Sequence, residues 1–174
     1  SEALRYRDII NNQLIEKEES KEEAILLILD YSEAFSINMM KFIELYEKEY
    51  QRDLHYIVKP HVNSPIDLKD FKIKNAVISN DKIENLLHNP CKCICSNMTS
   101  AQIDALIIQS SVIVILDGKE LNLSPLKGLE ATSFVSTLEE LHEALTTIPE
   151  VIKEGVASDF FFHDKKLARW KKYI

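Results

Sequence analysis

The chain of 174 residues lacks the features that mark several large protein classes. No apolar run reaches the roughly 18 to 20 residues of a membrane span, and the N-terminus lacks the basic-then-apolar pattern of a signal peptide. Acidic side chains are in excess, with a net charge of −7 at pH 7. Proteins that coat nucleic acid need surplus Lys and Arg to neutralise phosphate, so nucleic acid is not an expected partner. We expect a globular, cytoplasmic protein without a transmembrane segment.

Glycine is scarce, with three residues in the whole chain. A G-x-G-x-x-G sequence does not follow the first predicted strand, where Leu29-Asp30-Tyr31-Ser32-Glu33 stands instead. The G-x-x-x-x-G-K-[ST] sequence of P-loop NTPases is absent as well. Because these glycines let the backbone approach a phosphate group closely, their absence argues against an NAD or FAD site and against a P-loop NTPase. We therefore expect no bound cofactor.

Cysteine is also rare, and the three cysteines occupy alternate positions: Cys91, Cys93 and Cys95. On a strand, alternate residues project from one face, and neighbours in such a set are poorly placed to form disulfides. The C-x-C-x-C spacing also lacks the paired C-x-x-C spacing of a zinc site. This pattern favours reduced, buried thiols of a cytoplasmic protein and no metal centre.

What the chain does contain is a regular alternation of short apolar runs and amphipathic segments. Strands are predicted at residues 24–29, 54–58, 76–78, around 94, 111–116 and 132–135. Helices are predicted at residues 2–19, 35–50, 83–87, 100–109 and after Thr137, where Glu140 completes a capping box. Strict strand–helix alternation predicts an α/β fold, a Rossmann-like doubly wound and mainly parallel six-stranded sheet with helices on both faces. The expected strand order is 3-2-1-4-5-6.

The most informative segment is the junction between the fourth strand and the following helix. A short apolar run ends at a cluster of small polar residues that contains Ser96, Asn97, Thr99 and Ser100, and an apolar-periodic segment starts at once. These side chains suit the cap of a helix, because they accept its first backbone N–H groups. A helix start beyond a strand's carboxyl end is also a natural phosphate site. Both roles stay open at this stage.

Several strings along the chain resemble the C-terminal half of GT-B-type glycosyltransferases from bacterial surface-carbohydrate pathways, and more distantly bacterial sialyltransferases. The strings are EALRY at residues 2–6, VKPH at 58–61, CSN at 95–97 with TS at 99–100 and DAL at 104–106, DG at 117–118, LSPL at 123–126, and FFFHD at 160–164 followed by Leu167, RW at 169–170 and KK at 171–172. Together they extend over nearly the whole chain. Most of them stand at the ends of predicted strands.

The resemblance implies a domain that binds the nucleotide part of a CMP-linked or UDP-linked sugar donor. This domain would be one of the two domains of a transferase of surface polysaccharide biosynthesis. Residues 1–20 would form a linker helix, 21–150 the Rossmann-like domain, and 151–174 a tail that packs on it or on the missing N-terminal domain. In the sialyltransferase-like group the acidic catalytic base lies in the N-terminal domain, so the catalytic residues are unknown and this chain alone is expected to be inactive. The full-length enzyme would work at the inner face of the membrane, with peripheral association.

The resemblance also implies a set of ligand-binding residues at the ends of the strands. In sialyltransferase-like enzymes a His-Pro pair meets the donor phosphate; here the order is reversed, Pro60-His61, and Lys59 is the alternative cation. A serine-rich turn meets the phosphate from another side. The candidate nucleotide- and phosphate-binding residues are Lys59, His61, Ser96, Asn97, Thr99, Ser100, Asp117 and Ser124.

Two other functions fit the same alternation of strands and helices. One is a non-enzymatic interaction module of flavodoxin-like or receiver type, although a receiver would want several acids after the first strand and Asp30 stands alone there. The other is half of a sugar-nucleotide epimerase, which has a similar two-domain architecture. Asp30 and Glu33 are also candidates for general acid or base, against the plainer role of capping a helix.

Overall fold

The computed structural model describes residues 24–87, 92–108, 111–118, 121–129 and 132–147. The strands are β1 (Ile25–Ile28), β2 (Tyr56–Lys59), β3 (Ala76–Ile78), β4 (Lys92–Ser96), β5 (Ser111–Ile115) and β6 (Thr132–Val135). The helices are α1 (Glu33–Tyr50), α2 (Ile83–Leu87), α3 (Ala101–Ile107) and α4 (Leu138–Thr146), with a short 3₁₀ helix at Leu68–Asp70. The predicted linker helix at residues 1–20, the tail at 151–174 and the domain limits at 21 and 150 lie outside the described residues.

The six strands form one sheet in the order β3-β2-β1-β4-β5-β6, and every pairing between them is parallel. This confirms the predicted fold class and the predicted strand order. Since β1 lies in the middle with β2 on one side and β4 on the other, the chain reverses its direction of winding there. The carboxyl ends of β1 and β4 therefore form the switch point at which ligands bind in open α/β sheets.

Both faces of the sheet are covered by helices, which explains why the central strands are apolar on both sides. On one face α1 and α4 pack on alternate strand residues such as Leu27, Ile94 and Ile113. On the other face α2 and α3 pack on the residues between them, including Ile28 and Val114. The side chains of Cys93 and Cys95 are buried in this second layer, as the alternate spacing predicted. Cys91 lies outside the described residues.

The two helices of the first layer are held side by side by aromatic contacts. The hydroxyl of Tyr46 and Nδ1 of His142 are hydrogen-bonded at 3.2 Å, and the ring of Tyr50 stacks on the same imidazole with centroids 4.2 Å apart. α4 begins at the predicted capping box, in which Thr137 accepts from the Glu140 backbone N–H and the Glu140 carboxylate accepts from the Thr137 backbone N–H. These contacts fix α1 and α4 side by side on one face of the sheet.

Candidate functional site: a groove at the carboxyl edge of the sheet

A groove of about 240 Å³ lies between α1 and the carboxyl ends of β4, β5 and β6. We call it the edge groove. Its lining residues are Phe35, Asn38, Met39, Lys41, Phe42 and Leu45 of α1, with Ser96, Asn97, Ile115, Leu116, Asp117 and Ser136 from the strand ends. Apolar walls with a few polar groups at defined places are typical of a site for a small organic ligand.

The structure brings three of the predicted site residues into this groove: Ser96, Asn97 and Asp117. Lys59 is the last residue of β2 and His61 follows it, two strands away from β4 along the same edge of the sheet. The structure thus places these predicted residues along one edge, but only part of the set lines one cavity.

His61 lies at the β2 end of this edge, with its ring half-buried. Its Nδ1 accepts a hydrogen bond from the backbone N–H of Asn63 at 3.2 Å, and its ring meets the edge of Tyr31 at a centroid distance of 6.4 Å. The Tyr31 side chain is 58% exposed. Because Nδ1 accepts the bond from Asn63, Nε2 carries the hydrogen and can donate to a ligand at the edge.

A buried polar network runs below the edge, and it begins at Asp30 directly after β1. Asp30 is fully buried, and its carboxylate accepts from the backbone N–H of Ser32 at 3.1 Å and from the hydroxyl of Ser96 at 3.1 Å. The hydroxyl of Ser36 donates to the Asp30 carbonyl. A buried carboxylate needs such donors because water cannot reach it. Asp30 therefore joins the ends of β1 and β4. This structural role is closer to the expected role as a helix cap than to acid or base catalysis.

The same network continues through Gln102, a fully buried residue of α3. Its amide nitrogen donates to the carbonyl of Ser96 at 2.6 Å, and its amide oxygen accepts from the hydroxyl of Ser124 at 2.5 Å. The Ser124 hydroxyl in turn accepts from the backbone N–H of Leu126 at 3.0 Å. Ser124 thus lies beneath the edge and is buried, rather than leaning over an open site.

Asn97 holds the segment after β5 with both ends of its side-chain amide. Its nitrogen donates to the carbonyl of Leu121 at 2.8 Å, and its oxygen accepts from the backbone N–H of Leu123 at 3.0 Å. Both leucine side chains point outward, Leu121 77% and Leu123 51% exposed. Asn97 is consequently a lining residue of the groove and a clamp on the neighbouring loop at the same time.

The polar turn before α3 caps the helix less fully than its composition predicted. The hydroxyl of Thr99 accepts from the backbone N–H of Ala101 at 3.4 Å, a long bond, while within the described residues the side chain of Ser100 makes no capping hydrogen bond. Ser100 is exposed and Thr99 half-buried. These two hydroxyls, unlike those of Ser96 and Ser124, face the edge without being committed to the buried network.

Sequence reasoning missed the contribution of α1 to the groove. Phe35, Asn38, Phe42 and Leu45 recur at helical spacing beside the core stripe of Met39, Ile43 and Tyr46. The two stripes together make the apolar face of α1 wider than packing on one face of the sheet requires. This extra width was the signal in the sequence that could have indicated the groove. Ser136, which follows β6, gave no signal in the sequence.

The titratable groups with shifted pKa values lie at the opposite edge of the sheet. Burial raises the pKa of Glu47 near the end of α1 and that of Tyr56 at the start of β2. Glu47 Oε1 and the Tyr56 hydroxyl have no hydrogen-bond partner among the described residues. Within those residues no group of three or more His, Cys, Asp or Glu side chains could hold a metal ion.

Comparisons with known proteins show the fold. No family model matches the chain, and neither does any curated protein sequence. A structure of UDP-GlcNAc 2-epimerase from Methanocaldococcus jannaschii in complex with UDP-GlcNAc and UDP matches with a TM-score of 0.55 at 15% identity, covering 99% of this chain and 50% of that chain. A second structure of UDP-GlcNAc 2-epimerase from the same organism matches with a TM-score of 0.55 at 17% identity, covering 98% and 50%.

The described helices include none that is both long and apolar enough to cross a membrane.

At identities of 15% and 17% the two structural matches carry the Rossmann-like fold and nothing finer. This chain spans about half the length of both epimerase chains.

Proposed function

We propose that the chain is the nucleotide-sugar-binding domain of a two-domain enzyme, and that this enzyme is a glycosyltransferase of surface-carbohydrate synthesis. The observation that carries the proposal is the edge groove, which combines apolar walls with a polar rim at the ligand-binding edge of a doubly wound sheet. The fold match to half of two sugar-nucleotide enzymes supports the same ligand class.

The groove has the chemistry that a nucleoside requires. Phe35 and Phe42 supply flat apolar surface for a base, and Asn38 supplies an amide that both donates and accepts hydrogen bonds. Lys41 is exposed at the groove and supplies a positive charge for the phosphate that adjoins the ribose. We place the base and ribose between α1 and the ends of β4 to β6.

The phosphates would extend from the groove along the edge towards β2. The side chains available there are the hydroxyls of Thr99 and Ser100, followed by Lys59 and His61. A charge-assisted hydrogen bond from the Lys59 ammonium group is worth about 1.5 to 3 kcal/mol. Ser96, Asn97 and Ser124 act mainly by shaping the site, because their polar groups are already bonded within the fold. Asp117 lines the groove, and in this proposal it meets a ribose hydroxyl.

A sugar-nucleotide epimerase is the second candidate, and the fold match to two UDP-GlcNAc 2-epimerases favours it specifically. Both candidates need the same nucleotide-binding half, so binding alone does not separate them. Assays on a form that carries both domains would separate the two candidates. A transferase releases nucleoside phosphate only with an acceptor, whereas the epimerase inverts C2 of the sugar and keeps the nucleotide attached.

A cytoplasmic location at the inner membrane face stays a prediction.

The proposal is tested by titrating UDP, CMP, GDP and their sugar conjugates into the chain and measuring binding by calorimetry. Lys41→Ala removes a charge from the groove, while Lys48→Ala removes the same charge from the same helix two turns further on, outside the groove. We expect one nucleotide to bind, Lys41→Ala to weaken that binding about tenfold, and Lys48→Ala to leave it unchanged. Absence of binding by all three nucleotide series would refute the proposal.

A further inference from the structure

Gln102 has the properties of a residue that sets the geometry of the edge groove without touching a ligand. It is fully buried, it does not line the groove, and both ends of its amide are bonded to residues of other segments. We propose that Gln102 is a positioning residue that fixes the β4–α3 turn and the 121–126 loop relative to each other and so preorganises the groove. This inference rests on the proposed function for its ligand.

The argument begins with two parallel clamps between the same pair of segments. From the β4–α3 turn, Asn97 binds Leu121 and Leu123 through its amide. From α3, Gln102 binds Ser124 on one side and the Ser96 carbonyl on the other. The loop is therefore held at Leu121, Leu123 and Ser124, and Asn97, which holds the first two, is itself a groove residue.

The second step concerns what would happen without Gln102. The hydroxyl of Ser124 and the carbonyl of Ser96 would both lose a buried partner, and a buried polar group without a partner is strongly disfavoured. The loop would move to recover a partner from water. Because the side chain of Asn97, a groove residue, is bonded to that loop, the movement would change the wall that a nucleotide meets. Ordering the wall on binding would then lower affinity.

The network also explains why position 102 holds Gln. An amide can donate to a carbonyl and accept from a hydroxyl at the same time, which a leucine of similar size cannot do. The backbone N–H groups of Leu123 and Leu126 both donate to side chains of this network, to Asn97 Oδ1 and Ser124 Oγ. Their exchange with solvent therefore reports directly on whether the loop is held.

The experiment compares wild type with Gln102→Leu, Ser124→Ala and Ser124→Thr in the 174-residue chain at a temperature at which each is fully folded. Ile107→Val, a buried change at the far end of the same helix, is the control for lost stability. We expect amide exchange at Leu123 and Leu126 to speed up in Gln102→Leu and Ser124→Ala but not in the control. We expect UDP, as the probe, to bind about tenfold more weakly to these two variants.

The conservative variant separates positioning from general stability. Ser124→Thr retains the hydroxyl and should restore most of the UDP affinity that Ser124→Ala loses, and the double variant of Gln102→Leu with Ser124→Ala should lose no more affinity than either single change. Unchanged exchange at Leu123 and Leu126 in Gln102→Leu would overturn the inference. If wild type bound no UDP while these amides still responded, the positioning role would stand and the UDP form of the proposed function would fail.

Discussion

Glu47 is a buried acidic residue near the end of α1, and 7% of its surface is exposed. Burial raises the pKa of its carboxyl, as does the nearby charge of Asp53, while the backbone N–H of Lys74 and the charge of Lys74 act in the opposite direction. A raised pKa means that the folded state favours the neutral carboxyl. The associated stability is present at low pH and is lost as pH rises through the folded-state pKa.

The change Glu47→Gln should therefore raise the free energy of unfolding at pH 7, by about 1 kcal/mol, since the amide carries no charge to bury. The gain should shrink to nothing below about pH 4, where the wild-type carboxyl is protonated in both states. Urea unfolding at several pH values measures this. Glu49→Gln, an exposed change on the same helix, is the control and should show no such trend. A gain that grows on acidification would contradict the assignment.

Ser96 carries the bond that joins the buried carboxylate of Asp30 to β4. Ser96→Ala should lower the free energy of unfolding by about 1 to 3 kcal/mol, because it leaves a buried carboxylate oxygen without this donor. Ser133→Ala, an exposed serine on β6, should stay within about 0.5 kcal/mol of wild type. Equal stability of the two variants in guanidinium titrations would show that the bond contributes nothing.

At the scale of elements, the helix α4 forms the second half of the layer beside the groove and is held at both ends. Thr137 and Glu140 cap its start, and the ammonium group of Lys92 donates to the carbonyls of Ala144, Leu145 and Thr147 at its end. A positive charge at a helix C-terminus is favourable because the unpaired carbonyls there carry partial negative charge. The orientation of α4 is thereby coupled to the start of β4.

Thr137→Ala should destabilise the protein by about 1 kcal/mol, since it removes the acceptor for the Glu140 backbone N–H. Thr137→Ser keeps that acceptor and should cost a few tenths of a kcal/mol at most. The comparison is made from the urea midpoint at unchanged slope. A serine variant as unstable as the alanine variant would mean that the methyl group, rather than the cap, is responsible.

The six strands and their order followed from the sequence because continuous apolar runs such as residues 25–28 and 112–115 suit strands buried on both faces. Alternation with helices then allowed few topologies. The edge groove and the buried polar network could not be predicted from the sequence. Gln102 meets Ser124 across 22 residues and Asp30 meets Ser96 across 66, and no local pattern specifies pairs so far apart in the chain.

The predicted ligand residues show the same limit. Polar residues at strand ends could be located from the sequence, because every parallel strand ends at one edge. The sequence could not tell whether each hydroxyl faces a ligand or the interior, since this depends on packing. Ser96 and Ser124 are buried, whereas Ser100 is exposed. The roles of Lys59, His61, Thr99 and Ser100 towards a phosphate stay predictions.

At the scale of the whole molecule, the fold of this chain matches about half of a longer chain, that of a UDP-GlcNAc 2-epimerase. If the reaction takes place in a cleft between two such halves, residues 1–174 alone should bind a nucleotide sugar but neither transfer nor epimerise it. Product formation is followed by chromatography with each nucleotide sugar that binds. Turnover by the purified chain would show that this half contains its own catalytic groups.

Nucleotide binding should also stabilise the fold, because a ligand that binds only the native state adds to its stability. At a concentration 100 times the Kd the gain is about 2.7 kcal/mol. The melting temperature should rise with UDP or CMP concentration in wild type and Lys48→Ala, and less in Lys41→Ala. A rise of equal size in all three would place the nucleotide outside the edge groove.

The most direct test of the central claim is a titration of the ¹⁵N-labelled chain with the nucleotide that binds, followed by amide chemical shifts. The account predicts that the largest changes occur at the edge groove, in Asn38, Asn97, Asp117 and Ser136. Smaller changes should extend along the carboxyl edge to Ser100 and His61. Changes confined to the opposite edge, around Asp53 and Lys74, would contradict the account.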